Sequence, residues 1–150
     1  MENVNLIAPC GVYCGVCPQM IAYKNNDERL KQKLAMNFGL QPENIACEGC
    51  RSDKPFVFCA ACTIKSCVND KGIESCAECG EFPCDTIENF PVKQFIKKVK
   101  WDVEERRRLG KDEWIARTIE MNSCPSCGTL NHWVAKKCIA CKEELPQRYS

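Results

Sequence analysis

Cysteine is the residue type in this sequence whose spacing most clearly supports chemistry. The stretches CAACTIKSC at 59–67 and CAECGEFPC at 76–84 both follow the pattern C-A-x-C-x-x-x-x-C. A C-x-x-C pair places two sulfurs beside one metal ion, and a thiol five residues further on can supply a third bond from the next turn. The repeated pattern therefore predicts metal ligation.

The abundance of cysteine fits metal sites in a reducing compartment. The chain has 15 Cys among 150 residues, and an odd number argues against a fully paired disulfide framework. The opening MENVNLIAPCGVYCGVC shows no basic region and no continuous apolar run, so no secretory signal is predicted. No stretch approaches the roughly 18 apolar residues of a membrane span, so no membrane partner is expected. We expect a cytoplasmic protein with reduced thiols.

The net charge argues against a strongly basic nucleic-acid binder. The formal value is +1. A zinc ion held by four thiolates contributes about −2, so three such sites would bring the protein to about −5. Cations near the ligands, such as Arg51, Lys65 and Lys71, either partly offset this charge or are ordinary solvated residues.

The C-terminal segment CPSCGTLNHWVAKKCIAC has the spacing of a zinc ribbon. Two C-x-x-C pairs are separated by ten residues, and they consist of Cys124, Cys127, Cys138 and Cys141. Two facing pairs make a closed tetrahedral site, which is the structural form of zinc. Gly128 after the second Cys permits the positive φ that such a tight turn uses. His132, the only histidine, is predicted to be a surface or packing residue because four thiols already complete the site.

An RNA-binding alternative exists for this ribbon. Asn131, Trp133, Lys136 and Lys137 resemble residues of the RNA-binding zinc fingers of the Ran-binding-protein type, which read single strands with aromatic and basic side chains. That family usually has Trp two residues before its first Cys, and this sequence lacks it. RNA binding is therefore kept only as an alternative.

The first 91 residues contain eleven thiols, whose grouping the spacing leaves open. They are Cys10, Cys14, Cys17, Cys47, Cys50, Cys59, Cys62, Cys67, Cys76, Cys79 and Cys84. Eleven can be divided into four, four and three, or into two closed sites with three spare thiols.

The metal of these eleven thiols is also open. Cys10, Cys14 and Cys17 have the C-x3-C-x2-C spacing by which radical S-adenosylmethionine enzymes bind a [4Fe–4S] cluster, but the chain is too short for their βα barrel. Zn²⁺ is favoured because the thiols form paired turns with glycines and a ribbon follows. A [4Fe–4S] cluster is the alternative.

The surrounding sequence predicts a small, metal-stapled, α-rich protein with short helices, Cys knuckles, little β structure and a C-terminal β zinc ribbon. Three zones differ in composition: a cysteine-rich domain at 1–91, an amphipathic helical segment at 92–122, and the ribbon at 123–150. We expect one or two helices from Pro18 to a Gly39 cap, a helix ending at Gly72, and another starting at Pro83 and reaching Phe90. FVF at 56–58 is a possible strand.

The middle zone is predicted to form two helices separated by Gly110. The apolar residues of this zone recur at helical spacing and should form part of the core. The run ERRR at 105–108 is expected to be a solvated helix face.

Several of these motifs together resemble a known family. They are CGVYCGVCP at 10–18, CEGC at 47–50 and CTIKSCVNDKGIESCAECGEFPC at 62–84. They resemble a bacterial and archaeal cysteine-rich family catalogued as a domain of unknown function, with the signature CGLYCGxCP, CxGC and CxIRxC…KG…CxEC..YPC. Lys65 replaces its Arg and Phe82 its Tyr, and some members continue into a similar ribbon. The resemblance implies zinc binding and no established activity.

These observations favour a non-catalytic zinc-binding interaction module with an unknown protein partner. The single His lacks an evident nucleophile or carboxylate partner and no G-x-x-x-x-G-K-S/T loop occurs, so no catalytic residue is assigned and an enzyme is not favoured. The first alternative is an iron–sulfur redox or accessory protein. A thiol-dependent or zinc-dependent enzyme would require an open metal position or a spare reactive Cys.

Overall fold

The computed structural model describes residues 6–59, 62–146 and 148–149. Within them the chain forms six α-helices, four single turns of 3₁₀ helix and three isolated β-bridges, without an extended strand. The helices are α1 (Pro18–Lys24), α2 (Glu28–Phe38), α3 (Thr63–Lys71), α4 (Asp85–Glu88), α5 (Lys93–Leu109) and α6 (Lys111–Asn122). The α-rich prediction is confirmed. The C-terminal segment has one bridge beside each Cys pair, Ser123–Leu130 and Lys137–Glu144, rather than the strands of a β ribbon.

The helix ends follow the local sequence. Asp27 caps α2 by accepting a hydrogen bond from the backbone N–H of Leu30 at 3.1 Å. Gly39 and Gly72 end α2 and α3 in the left-handed conformation, with φ of 70° and 68°. Gly110, with φ of 90°, separates α5 from α6. The predicted caps and the predicted helix break are therefore confirmed.

Two local predictions differ from the structure. Instead of a strand at 56–58, Val57–Cys59 forms a 3₁₀ turn in which the Cys59 N–H donates to the carbonyl of Phe56 at 2.8 Å. The helix expected from Pro83 to Phe90 covers only Asp85–Glu88, since Phe90 precedes Pro91 and residues before proline disfavour the helical conformation. The absence of a secretory signal was predicted partly from residues 1–5, which lie outside the described residues.

The apolar stripe of α5 lies in the core, as predicted. Ile96, Val99 and Val103 pack in one buried cluster with apolar residues of α3 and α4 and with several N-terminal thiols. Gly11 lies so close to α5 that a Cβ atom would approach the Val103 side chain to 2.8 Å. A second cluster joins the N-terminal loop to α6 through Tyr13 and Trp114. None of the described helices is both long and apolar enough to span a membrane.

A buried ion pair connects the helical segment to the C-terminal segment. Lys98 and Asp102, one turn apart on α5, are paired with almost no solvent exposure. The Lys98 ammonium lies 4.4 to 5.7 Å from the ring centroids of Tyr149, Trp101 and Trp133. The indole N–H of Trp114 on α6 donates to Asp102 at 3.2 Å. Residues of α5, α6 and the C-terminal segment therefore all contact the charged groups of this pair.

The expectation that 105–108 is a solvated face is wrong for Arg106, whereas Arg107 is exposed. Arg106 is buried and contacts the Glu74 carboxylate at 2.7 Å and the Ser75 hydroxyl at 3.1 Å. Arg107 donates to the carbonyls of Ala77 and Cys79. This happens because α5 packs against the segment 74–79, so that these guanidinium groups meet the carboxylate and backbone carbonyls of that segment.

Candidate metal centre

The two C-terminal Cys pairs meet in one compact group, the C-terminal four-thiol group, formed by Cys124, Cys127, Cys138 and Cys141. Their sulfurs all lie within 4.8 Å of one another. The Cys124–Cys141 and Cys127–Cys138 sulfur distances are both 3.6 Å. Among residues 6–59, 62–146 and 148–149, this is the single set of three or more possible ligand atoms so closely grouped.

The two pairs sit in backbone turns of the same design. The N–H two residues after the first Cys of each pair points at its sulfur, at 3.4 Å from Ser126 to Cys124 and 3.4 Å from Ala140 to Cys138. The N–H four residues after that Cys donates to its carbonyl, from Gly128 at 2.8 Å and from Lys142 at 3.1 Å. The Ser126 and Ala140 N–H groups stabilise negative charge on the sulfurs, which must be thiolates to bind a metal, and the Gly128 and Lys142 N–H groups close the turns.

The position after each second Cys requires a left-handed backbone. Gly128 has φ of 81° as predicted, and Lys142 at the equivalent position of the second turn has φ of 70°. A lysine accepts this conformation with strain, since its Cβ crowds the backbone there. The second turn therefore reaches the geometry of the first without the glycine.

Asn131 joins the two turns. Its carboxamide accepts from the Ile139 N–H at 2.8 Å and donates to the Thr129 carbonyl at 3.1 Å, and the residue is fully buried. Burial raises the pKa of the Cys138 thiol, but hydrogen bonds from the Cys141 backbone and from Asn131 outweigh it, and the pKa falls to about 6. A thiol that ionises this easily suits a metal ligand.

His132 packs inside the fold and lies outside the four-thiol group. It is only 9% exposed, and burial lowers its pKa to about 4, with the positive charge of Arg148 adding to the effect. Its Nδ1 has no hydrogen-bond partner among the described residues. The Trp133 ring beside it packs against Tyr149, with 6.3 Å between centroids.

The eleven N-terminal thiols lie in two neighbourhoods. The N-terminal seven-thiol set consists of Cys10, Cys14, Cys17, Cys47, Cys50, Cys59 and Cys62, which are linked by hydrogen bonds and charge interactions among their thiols; Cys10 and Cys62 also interact with Cys76. The second neighbourhood, the α3–α4 thiol set, consists of Cys67, Cys76, Cys79 and Cys84, which line one cavity. The seven-thiol set can supply one group of four thiols and one group of three, and the α3–α4 thiol set supplies the other four. This arrangement is compatible with the division of the eleven thiols into four, four and three.

Cys50 is the electrostatic centre of the seven-thiol set. Hydrogen bonds from the thiols of Cys14 and Cys59 lower its pKa far below the ordinary value, and nearby Lys65 and Arg51 add to this. The same contact, together with burial, raises the pKa of Cys14. One thiolate is thus shared between two protonated neighbours, and a metal ion bound there would displace those protons.

Six members of the seven-thiol set border a large groove; Cys47 is the exception. The groove has a volume of about 1360 Å³ and is also lined by residues of the C-terminal segment. Its lining includes the exposed cations Arg29, Lys33, Lys136 and Lys137, whereas Asp27 is the single carboxylate among the described lining residues. The groove is therefore apolar and thiol-rich at its base and positively charged at its rim.

Three positioning features escaped the sequence interpretation. The sequence interpretation gives Asn131 no role in joining the two turns, includes Arg107 in a solvated helix face, and does not single out Lys98. A small polar residue such as Asn between two Cys pairs indicates a side-chain amide that can hydrogen-bond to the backbone of both turns. Nothing local to Arg107 indicates the segment that it contacts, since Ala77 and Cys79 lie 30 and 28 residues away along the chain. Asp102 is a local signal for the ion pair of Lys98, but the rings of Trp133 and Tyr149 lie 35 and 51 residues away.

Fold and site together define a helix-rich, cysteine-rich protein with a four-thiol group that could hold a metal ion. The chain belongs to the family described as Protein of unknown function (DUF3795), which matches residues 6–89, just over half of its length. The resemblance stated from the sequence motifs is thereby confirmed. The match contains all eleven N-terminal thiols and ends before the C-terminal four-thiol group. No curated protein and no solved structure matches the chain.

Proposed function

We propose that the protein is a non-catalytic zinc-binding module whose C-terminal four-thiol group holds a structural Zn²⁺. The observation that carries this proposal is the grouping of its four sulfurs within 4.8 Å, with two separations of 3.6 Å. A tetrahedral zinc with bonds of about 2.3 Å requires sulfurs about 3.8 Å apart. The two turns, each closed by one β-bridge, would then form the centre of a small β zinc ribbon.

A structural role follows from the completeness of this ligand set. Four thiolates leave zinc no open position at which to activate water. His132, the one histidine, is buried and held neutral, so it is poorly placed to act as a base at this centre. Reduced thiols throughout the chain suit the cytoplasm.

The experiment is metal analysis of wild-type protein, Cys127→Ser and the control Ser126→Ala. Ser126 adjoins Cys127 and contacts the site through its backbone rather than its side chain. We expect Cys127→Ser to lose one equivalent of zinc and Ser126→Ala to retain it. Full zinc content in Cys127→Ser, or wild-type protein that is folded and metal-free, would contradict the proposal.

For the partner, we propose an acidic protein segment with apolar side chains that binds in the groove. Positive charge at the rim and apolar surface at the base complement such a segment. Phe58, which lines the groove, is 52% exposed and stacks edge-on against Phe38 at 5.5 Å, offering a fixed aromatic contact.

Binding can be tested with a labelled peptide of alternating Glu and Leu, with a Lys and Leu peptide and polyuridine as competitors. We expect the acidic peptide to bind and the double variant Lys136→Glu/Lys137→Glu to weaken it at least tenfold, whereas Lys24→Glu, an exposed cation outside the groove, should not. Binding of polyuridine but not of the peptide would favour the RNA alternative and contradict this partner.

The iron–sulfur alternative applies to the seven-thiol set, and one observation favours it. Six of its thiols border open volume, which a cluster would need, whereas the C-terminal sulfurs leave room for one ion. Anaerobic reconstitution with iron and sulfide should then give a brown protein whose colour is lost in Cys14→Ser and kept in Cys127→Ser. A colourless product in wild type would contradict this candidate.

A further inference from the structure

We propose that Cys67, Cys76, Cys79 and Cys84 bind a second metal ion of the zinc type, in a site separate from both the C-terminal group and the seven-thiol set. The four thiols come from three elements: α3, the 3₁₀ turn Cys76–Glu78 with the residue after it, and the residue preceding α4. All four line one cavity of about 290 Å³. An all-thiolate set of four is the donor set of structural zinc.

The backbone of each ligand is already fixed. The Cys76 N–H donates to the Pro9 carbonyl at 2.9 Å, and the Cys79 N–H closes the turn on the Cys76 carbonyl at 3.1 Å. Cys84 caps α4, with its carbonyl accepting from the Glu88 N–H at 2.9 Å. Cys67 is held by α3, whose Val68 is buried in the core. The four sulfurs stand farther apart than the C-terminal four, so binding of one ion requires their side chains to turn towards one another.

Cations surround this set on two sides. Arg107 of α5 holds the turn from outside, donating to the Ala77 carbonyl at 3.0 Å and the Cys79 carbonyl at 2.7 Å. Lys71 lies on the cavity wall, where its pKa is raised by a hydrogen bond to Glu81 and, more weakly, by Cys79 and Cys67. A four-thiolate zinc centre carries about −2, so cations at these positions would offset its charge.

A hydrophobic role does not explain the set as well. Cys67, Cys79 and Cys84 are only partly buried, and Cys84 and Cys67 face the cavity beside the charged residues Lys71, Glu81 and Asp85. Cysteines that act as small apolar residues are usually fully buried. Their convergence on one cavity from separate elements is what a ligand set requires.

The experiment counts metal ions by native mass spectrometry after zinc loading and mild chelation. We expect Cys67→Ser and Cys84→Ser each to lose one equivalent, and the double variant Cys67→Ser/Cys84→Ser to lose the same single equivalent. Cys67→Ser/Cys127→Ser should lose two, because its thiols belong to different sites. The control Ser66→Ala, at the residue before Cys67, should lose none.

Unchanged metal content in both single variants would overturn this second site, and so would the loss of two ions in Cys67→Ser/Cys84→Ser. Neither result affects the C-terminal zinc, which Cys127→Ser tests alone. If the variants do not fold, wild-type protein can be titrated with chelator and alkylated at each step. The four thiols should become reactive together with the release of one ion, and staggered reactivity would contradict the proposal.

Discussion

The C-terminal four-thiol group and the N-terminal seven-thiol set use cysteine in different ways. In the C-terminal group, two turns of the same design bring the sulfurs together, and two of the thiols, Cys127 and Cys141, are exposed. In the seven-thiol set, the thiols come from segments 30 or more residues apart, 10–17 and 47–62, and Cys10, Cys14 and Cys47 are part of the hydrophobic core. One site is built by local backbone geometry and the other by tertiary packing.

The two thiol groups differ in whether local or tertiary contacts position their sulfurs. A turn of six residues can position its own two sulfurs through N–H···S and N–H···O contacts, so each half of the C-terminal site depends mainly on local contacts. The seven-thiol set needs α5 in place, because Gly11 of its first loop packs directly against Val103. We therefore expect the C-terminal metal site to tolerate damage to the core, and the N-terminal thiols to be sensitive to it.

Among the variants that test this comparison, Asp102→Asn should have the largest effect on stability. The variant leaves the buried Lys98 without a counter-charge, and breaking a buried pair in this way costs about 3–5 kcal/mol. Urea unfolding should show that loss, while Co²⁺ titration of the C-terminal group should give unchanged affinity, because Lys98 contacts the C-terminal segment through the rings of Trp133 and Tyr149 rather than through the two Cys turns. Asp112→Asn, at an exposed position of α6, is the matched control. Co²⁺ affinity that falls in parallel with stability would show that the two regions are not independent.

The same difference between local and tertiary contacts determines which features could be predicted from the sequence. The Cys pairs, Gly39, Gly72, Gly110 and Gly128 are local signals, and the predicted caps, helix break and ribbon turn are found where expected. The grouping of the eleven thiols, the aromatic surround of Lys98 and the contacts of Arg107 depend on which elements pack together. Spacing along the chain carries no information about such packing, so these features required coordinates. The predicted domain boundaries at 91 and 122 remain predictions.

The pH dependence of stability tests the docking of the C-terminal segment through His132. Its pKa is about 4 in the folded protein because of burial, then of the charges of Arg148 and Lys33 of α2, with Asp27 opposing them. The unfolded chain binds this proton near pH 6.5, so the stability is complete above pH 6.5 and lost as the pH falls towards 4. The loss amounts to about 3 kcal/mol.

His132→Gln isolates this effect from the acid release of metal, which affects both proteins. Urea titrations at pH 7.5 and at pH 4 measure the unfolding free energy of both proteins. Between these two pH values, the wild type should lose about 3 kcal/mol more than the variant. Parallel pH profiles for the two proteins would mean that the imidazole is not held neutral in the fold.

Asn131→Ala tests whether the two C-terminal turns depend on each other. The variant leaves the partly buried Ile139 N–H and Thr129 carbonyl without their amide partner, which costs about 1–3 kcal/mol. Because Asn131 supports the ligands from outside the metal shell, Co²⁺ affinity of this group should fall about 10- to 100-fold. The absorbance of any metal at the seven-thiol set should not change. Unaltered Co²⁺ affinity would show that each turn positions its own thiols unaided.

The smallest expected effects come from substitutions at the left-handed positions of the two turns. Gly128→Ala introduces a Cβ where φ is 81°, whereas Lys142→Gly removes one where φ is 70°. The first should destabilise the holo protein by about 1 kcal/mol and the second stabilise it by up to about 1 kcal/mol, because a left-handed residue other than glycine costs about 1–2 kcal/mol. Open space around Gly128 excludes a steric clash as the cause. Thermal unfolding of the zinc-loaded variants measures both changes, and shifts of the same sign would show that the turns are not equivalent in their backbone energetics.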